Sequence, residues 1–119
     1  MPGVSKTTYA GKTIIVIDYS NGKEAEMIEL LMEAKALIES ENKPTLLLNV
    51  MNERNFTTPN FVRHAEKINT EISHLIVKQA AVGLSLVQKT ILKGFNLFTA
   101  KKQLLSFETM EDALKYLAE

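Results

Sequence analysis

An unbroken apolar and β-branched run at residues 13–17 is the feature that most constrains how this chain folds. The run does not alternate between apolar and polar residues, which is typical of a strand covered on both faces of its sheet. A second run of this kind, Thr45–Val50, follows a helical segment that reaches about Glu41. A connection of helical length returns the chain to the same end of the sheet, so the two strands are predicted to be parallel.

The rest of the chain continues this alternation of strand and helix. Residues 4–9 and 12–19 are two β-prone runs, and Gly11 between them can supply the positive φ of a tight hairpin turn. Strands are also predicted at residues 75–83 and 103–107. The predicted fold class is therefore α/β: one domain over residues 1–119, with an N-terminal β-hairpin whose second strand opens a β-α-β-α-β-α-β-α order.

Four predicted helices each follow a polar side chain that can accept hydrogen bonds from the first backbone N–H groups of a helix. These capping residues are Ser20 or Asn21, Thr58, Ser85 and Thr109. The second helix carries an apolar stripe, and Pro59 suits its first position because proline lacks an N–H donor. Ser85 and Gln88 form the pattern of a capping box, in which two residues three apart satisfy each other's backbone donors.

The third helix is predicted to turn one apolar face toward the sheet. That face contains Leu84, Val87, Ile91, Gly94, Phe95 and Phe98. Gly94 is expected to allow a close approach of the helix to the sheet, at a cost of about 1 kcal/mol in helix propensity.

A second apolar side of the same helix contains Leu86, Leu92 and Leu97, with Lys89 and Lys93 between them. A helix that is apolar on two sides often meets a second partner. Leu86, Lys89, Lys93 and Leu97 are therefore predicted to form a partner surface, for another protein or for a second copy in a homodimer. The alternative is a loosely exposed apolar patch.

Composition excludes several classes of protein. The chain has no cysteine, which rules out disulfides, thiolate metal sites and cysteine nucleophiles. No stretch reaches the roughly 18 apolar residues of a membrane span, and the N-terminal residues lack the apolar core of a signal peptide. We therefore expect a cytoplasmic protein that is not inserted in a membrane.

Charge is unevenly distributed along a chain whose formal net charge is zero. No acidic residue lies between Glu71 and Glu108, and that window contains five lysines, at positions 78, 89, 93, 101 and 102. Nucleic-acid binding would require a contiguous basic face with aromatic or base-reading groups among the lysines. A solvated basic face accounts for the pattern better, so no nucleic-acid partner is predicted.

No catalytic motif is present in the sequence: there is no phosphate-binding glycine-rich loop, no nucleophile elbow and no HExxH metal site. His64 and His74 lack neighbours at metal-ligand spacing, so no metal, cofactor or enzymatic activity is predicted. An enzyme that uses Asp18 with His64 or His74 would require the fold to bring these side chains within hydrogen-bond reach.

Polar residues follow several predicted strands at the carboxyl edge of the sheet, where α/β proteins commonly bind ligands. Asp18, Ser20, Asn49, Gly83 and Ser85 are predicted to line a crevice there. Because the third helix begins beside them, its N-terminus could offer donors to an anionic ligand, and a lipid is the other ligand considered. The alternative is that these loop and cap residues make only local hydrogen bonds.

Three segments resemble the STAS superfamily in its SpoIIAA-like branch, the fold of bacterial anti-anti-sigma factors. They are TIIVIDYS at residues 13–20, VKQAAVG at residues 77–83 and FETMEDALKYL at residues 107–117. The resemblance covers nearly the whole chain. It implies a mixed, mostly parallel sheet with helices mainly on one side, and a non-enzymatic regulatory role through protein contact.

The resemblance also implies a phosphorylation site. Anti-anti-sigma factors carry a phosphorylated serine at the start of their second helix, normally after an aspartate, and this chain has NFTTP at residues 55–59. Thr57 or Thr58 would take the place of that serine, although the aspartate is missing and Thr58 also fits a capping role. Leu86 departs from the small residue common in this branch.

Overall fold

The computed structural model describes residues 3–98 and 104–119 and opens with an antiparallel hairpin. β1 (Gly3–Tyr9) pairs with β2 (Lys12–Asp18), and Tyr9 lies opposite Lys12 at the turn. Ala10 and Gly11 both have positive φ, at 51° and 77°. Two consecutive positive φ values match the right-handed twist of the paired strands, which confirms the predicted hairpin and the role of Gly11.

The sheet has five strands in the order β1-β2-β3-β4-β5. The remaining strands are β3 (Thr45–Val50), β4 (Ile76–Val82) and β5 (Leu104–Phe107), and each pairs in parallel with the strand before it. The helices are α1 (Glu24–Glu41), α2 (Pro59–Ile72), α3 (Leu86–Phe98) and α4 (Met110–Ala118). A short 3-10 turn, Ser73–Leu75, joins α2 to β4. The predicted α/β order is confirmed.

Alternate residues of the central strands point to two different layers, as the period of a β-strand requires. Odd-numbered residues such as Ile15, Ile17 and Leu47 pack with buried residues of α1 and α2, among them Met27 and Ile68. Even-numbered residues pack under α4, in a cluster of Ile14, Leu48, Ala80, Ala113 and Leu117. Since α3 also contributes to the first layer, three helices lie on one side of the sheet and one on the other, as the resemblance implied.

The start of α1 differs from the prediction. The N-cap is Lys23, whose backbone N–H donates to Glu26 Oε1 at 3.2 Å, and neither Ser20 nor Asn21 caps the helix. Asn21 instead has a left-handed φ of 64°, and its side chain bonds to Asn52 Nδ2 at 3.0 Å. The predicted cap is therefore wrong because Asn21 is held in the turn before the helix.

The other predicted caps are present. Thr58 Oγ1 accepts the N–H of Phe61 at 3.1 Å, and Pro59 opens α2. At α3, Ser85 N–H donates to Gln88 Oε1 at 2.9 Å and Gln88 N–H donates to Ser85 Oγ at 3.2 Å, which completes the capping box. Thr109 Oγ1 accepts the N–H of Asp112 at the start of α4.

The predicted inner face of α3 is corrected in three places. Val87 is 69% exposed, whereas Gln88 is buried, so the first turn is rotated from the predicted orientation. Leu92, expected on the outer side, lies on the inner side with Ile91. A Cβ at Gly94 would meet nothing within 4 Å, so no close approach to the sheet requires this glycine. The side chains of Phe95, Leu97 and Phe98 lie outside the described part of the structure.

No helix formed by residues 3–98 and 104–119 is long and apolar enough to cross a membrane. Within the same residues, no three histidine, aspartate or glutamate side chains come together in a group that could hold a metal ion.

Candidate functional site

The carboxyl edge of the sheet gathers the loops that follow β2, β3 and β4. Tyr19 N–H donates to Val50 O at 2.8 Å, and Met51 N–H donates to Val82 O at 2.9 Å, so the three chain segments continue side by side past the strand ends. At Gly83, with φ of 84°, an added Cβ would lie 1.9 Å from the carbonyl oxygen of Met51. Glycine is required there by both backbone conformation and space.

Several predicted ligand residues at this edge make local hydrogen bonds. Asp18 Oδ1 accepts the N–H of Ser20 at 2.9 Å, and Ser85 is engaged in the capping box with Gln88. Asn49 differs from them, because it is buried in the sheet and lines a cavity on the face covered by α2 and α3. The structure therefore separates Asn49 from Asp18, Ser20, Gly83 and Ser85, which do not line that cavity.

A buried asparagine that the sequence analysis did not single out connects the loops. Asn55 is 6% exposed, and its Nδ2 donates to Tyr19 O at 2.8 Å and to Gly22 O at 2.9 Å. Its Oδ1 accepts the N–H of Asn52, and its backbone carbonyl accepts Gln88 Nε2 at 3.0 Å. One residue thus fixes the β2–α1 loop, its own loop and α3 together. The only signal in the sequence is a pair of turn-forming asparagines three residues apart.

The two threonines considered for phosphorylation are both engaged. The Thr58 hydroxyl caps α2 and donates to the Glu24 carboxylate. Thr57 Oγ1 accepts Gln88 Nε2 at 3.2 Å and is half-buried. A phosphate on Thr58 would meet the Glu24 carboxylate and would remove the cap. Phosphorylation at Thr57 or Thr58 stays a prediction.

A cavity of about 100 Å³ lies between the sheet, α2 and α3 and is partly open to solvent. We call it the α2–α3 cavity. Its wall is mostly apolar, with contributions that include Leu31, Leu47, Phe61, Ile68, Ile72 and Ile91. The polar side chains of the wall are Tyr19, Asn49, Thr57, Asn69, Gln79 and Gln88, and no charged residue is among its described members.

The carboxamides of the wall are buried and hydrogen-bonded to the protein. Gln79 Nε2 donates to Asn69 Oδ1 at 2.7 Å, which joins β4 to α2 across the cavity wall. Asn49 Nδ2 donates to Ala80 O at 3.3 Å. The sequence held a signal for this cluster: Gln79 is an uncharged polar residue in a mostly apolar strand, and Asn69 lies on the apolar stripe of α2. Their pairing depends on the tertiary fold and was not predicted.

Tyr19 brings an unused polar group to the wall of the cavity. It is 2% exposed, and its ring meets Phe61 edge to face, with centroids 5.7 Å apart. Its hydroxyl makes no hydrogen bond with the residues that the structure describes. Burial without a compensating partner raises the pKa of Tyr19 far above its ordinary value.

Large apolar side chains are exposed beside the carboxyl edge. Phe56 is 81% exposed, Leu86 82% and Val87 69%. Gln88, the next residue after Val87, hydrogen-bonds to both neighbours of Phe56, namely Asn55 and Thr57, so the three apolar residues occupy the same end of the molecule. We call Phe56, Leu86 and Val87 the carboxyl-edge patch.

The other residues of the predicted partner surface have different surroundings. Lys89 Nζ pairs with Glu108 Oε1 at 2.7 Å, while Lys93 is exposed. The side chain of Leu97 falls outside the described residues. The exposed part of the predicted surface therefore combines Leu86 and Lys93 with Val87, which the sequence had placed inside.

The histidines lie apart from Asp18. His74 lies in the short turn before β4 and so at the amino edge of the parallel strands, opposite the end at which Asp18 closes β2. His64 Nδ1 is 2.9 Å from Asn60 O, one turn back in α2. Neither histidine hydrogen-bonds to Asp18, so the arrangement required for the enzymatic alternative is absent among these residues.

Comparison with known proteins identifies the fold. No protein-family model matches the sequence, and no curated protein matches it. The chain is similar to a crystal structure from Shewanella loihica PV-4, an uncharacterised protein of the DUF3478 family with a SpoIIAA-like fold. The two share 12% identity with a TM-score of 0.71, over 97% of this chain and 92% of the other. The chain therefore has the SpoIIAA-like fold, and the predicted resemblance is confirmed at that level.

Proposed function

We propose that this chain is a non-enzymatic regulatory domain of the STAS type that acts through protein contact, with the carboxyl-edge patch at the centre of its interface. The observation that carries this proposal is the exposure of Phe56, Leu86 and Val87 at one end of the molecule. Exposed apolar side chains gathered in one place favour association, since each loses its contact with water when a partner covers it.

The patch has a rigid support, which favours specific binding. Gln88 is buried and bonds to the backbone of Asn55, while the Asn55 side chain bonds to two carbonyls of the β2–α1 loop. Side chains that stand on a fixed backbone lose less conformational freedom when they bind than side chains on a mobile loop. We expect a standard interface of about 800 Å² per partner to include surrounding polar residues such as Lys93.

Self-association is the version of this function that can be tested with the purified chain alone. Sedimentation velocity over a wide concentration range is expected to show a monomer–dimer equilibrium for the wild type. Leu86→Glu should shift it to monomer, because it places a charge in the patch. Met32→Glu is the matched control, since Met32 is also exposed, at 57%, but lies on α1. A wild type that stays monomeric at every concentration, or a Leu86→Glu variant that dimerises normally, would count against it.

A second candidate function, small-ligand binding, is favoured by the α2–α3 cavity. The cavity is partly open, and its wall combines apolar side chains with a buried tyrosine hydroxyl that has no partner among the described residues. Such a mixture is typical of small-molecule sites, in which apolar walls supply affinity and a few polar groups orient the ligand. Native mass spectrometry of freshly purified protein should detect a co-purifying ligand. If none is present and no compound from a fragment library raises the melting temperature, this candidate fails.

A further inference from the structure

We propose, on the premise of the small-ligand function, that the α2–α3 cavity takes a neutral molecule with an apolar body and one hydrogen-bonding group, which pairs with the Tyr19 hydroxyl and the Asn49 side chain. The ligand considered from the sequence was an anionic molecule or a lipid, held by residues at the strand ends. The cavity differs from that site in position and in charge: of the predicted ligand residues it contains only Asn49, and its described wall has no charged side chain.

The Tyr19 hydroxyl is the first reason. Buried polar groups in proteins are nearly always hydrogen-bonded, yet this hydroxyl has no partner in the described part of the chain. Among described residues, the Ser106 hydroxyl is the one side-chain polar atom that has neither accessible surface nor a hydrogen bond. Since the Tyr19 hydroxyl also has no hydrogen bond, it must keep some accessible surface. Because Tyr19 belongs to the cavity wall, a ligand atom in the cavity can supply the missing partner.

Asn49 provides a second group within reach of the same ligand atom. Its Nδ2 donates to Ala80 O, and its Oδ1 accepts no hydrogen bond from the described residues. Ile17 pairs with Asn49 across β2 and β3, and Tyr19 lies two residues beyond Ile17 on the same face. This offset puts the Cα atoms of Tyr19 and Asn49 roughly 8 Å apart, a span that a phenol and a carboxamide cover together.

Charge and volume define the rest of the ligand. The described wall has no charged side chain, so an ionised ligand would be buried without a counter-ion, which is strongly unfavourable. The cavity measures about 100 Å³. An apolar cavity of about 150 Å³ in another protein holds benzene. This cavity is smaller but partly open, so a short branched chain, or a single ring that extends into the opening, is the expected size.

Three probes of nearly equal shape test the hydrogen bond and the preference for a neutral ligand separately: toluene, benzyl alcohol and benzoate. Affinities are measured by NMR titration of the full chain. We expect benzyl alcohol to bind and benzoate to bind at least tenfold more weakly. The ratio of benzyl alcohol affinity to toluene affinity should fall about threefold to tenfold in Tyr19→Phe, the effect of one lost hydrogen bond. Tyr116→Phe, on the α4 side of the sheet, should leave the ratio unchanged.

Each of the other outcomes contradicts one part of the proposal. An unchanged ratio in Tyr19→Phe shows that the hydroxyl does not recognise the ligand, while small-ligand binding itself survives. Tighter binding of benzoate than of benzyl alcohol refutes a neutral ligand. If no probe binds the wild type, the ligand function fails together with this inference. Should Tyr19→Phe fold poorly, Asn49→Leu is the second variant, and an unchanged ratio there shows that the Asn49 side chain does not recognise the ligand.

Discussion

Ala80 and Ala81 are neighbours in β4, yet they face different surroundings. Ala80 points to the layer beneath α4, where the fully buried neighbours that the structure describes, including Ile14, Leu48 and Leu117, are aliphatic. Ala81 points to the α2–α3 cavity, among carboxamides and a tyrosine. The same strand therefore contributes to a sealed apolar layer on one face and to a partly open, mixed wall on the other.

The difference shows how polar residues keep space open in a protein interior. Aliphatic side chains can shift and rotate until they fill the volume between a helix and a sheet. Carboxamides must hold their donors and acceptors at fixed distances and directions, as Gln79 and Asn69 do at 2.7 Å. Elements joined by such bonds cannot simply close over the remaining gap, so a cavity persists beside α2 and α3.

The largest predicted effect is a loss of stability, and it is expected to differ between two leucines on opposite faces of the sheet. Leu117→Ala in the sealed layer should lower the free energy of unfolding by about 3 kcal/mol, because it removes a fully buried side chain and leaves a new hole. Leu92→Ala, at the half-buried cavity wall, should cost about 1 kcal/mol, since that side chain borders existing space. Urea denaturation measures both. Equal losses would contradict the contrast.

Asn55→Ala should lower the free energy of unfolding by about 2 kcal/mol, because it removes the side-chain donor to the buried carbonyls of Gly22 and Tyr19, the second of which keeps only the N–H of Gly22. Chemical denaturation gives the value. Asn60→Ala is the control, since the Asn60 side chain has only a long contact of 3.5 Å from Arg63 among the described residues, and it should change stability by less than about 0.5 kcal/mol. Similar effects for the two variants would show that the loops are not held by Asn55.

Tyr19 should make the free energy of unfolding depend on pH in the alkaline range. Burial raises the pKa of Tyr19, so above its ordinary value of 10.0 the unfolded chain loses this proton while the folded chain keeps it. Stability conferred by the buried phenol is thus present below pH 10 and falls as pH rises, by about 1.4 kcal/mol per pH unit.

Denaturation curves at pH 9, 10 and 11 test this prediction. Relative to wild type, Tyr19→Phe should lose less stability over that range, and Tyr116→Phe should follow the wild type. Parallel loss in wild type and Tyr19→Phe would mean that the phenol is accessible in the folded state.

The smallest predicted effect is a gain in stability. Ala65→Leu places three carbon atoms in the cavity and should raise the free energy of unfolding by about 1 kcal/mol while it abolishes binding of benzyl alcohol. Thermal denaturation and NMR titration measure the two results. Ala36→Leu, exposed on α1, should do neither. Loss of stability in Ala65→Leu would indicate that the wall cannot accept a larger side chain.

The strands and most helix starts could be predicted because they depend on local patterns. Thr45–Val50 is an apolar run with a proline before it, and Thr58 with Pro59 satisfies local requirements of a helix start. The cap of α1 was not predictable in this way, since Asn21 is drawn into a turn by Asn52, a residue 31 positions away.

Only part of the candidate site could be predicted from local sequence patterns. Asn49 was identified from its place near a strand end, but the cavity it lines is created by α2 and α3. The inner face of α3 was wrongly placed because the pattern favoured Val87, whereas Gln88 turns inward to bond with Asn55. A hydrogen bond between distant segments decides that orientation, and hydrophobic periodicity contains no information about it.

The contrast between the two faces can be tested most directly at Ala80 and Ala81. In a protein labelled at its alanine methyl groups, titration with benzyl alcohol should shift the methyl signals of Ala81 and Ala65, which line the cavity, and leave those of Ala80 and Ala113 in place. Equal shifts at Ala80 and Ala81, or no shift at Ala81 when the probe is saturating, would contradict the account of one sealed and one open face.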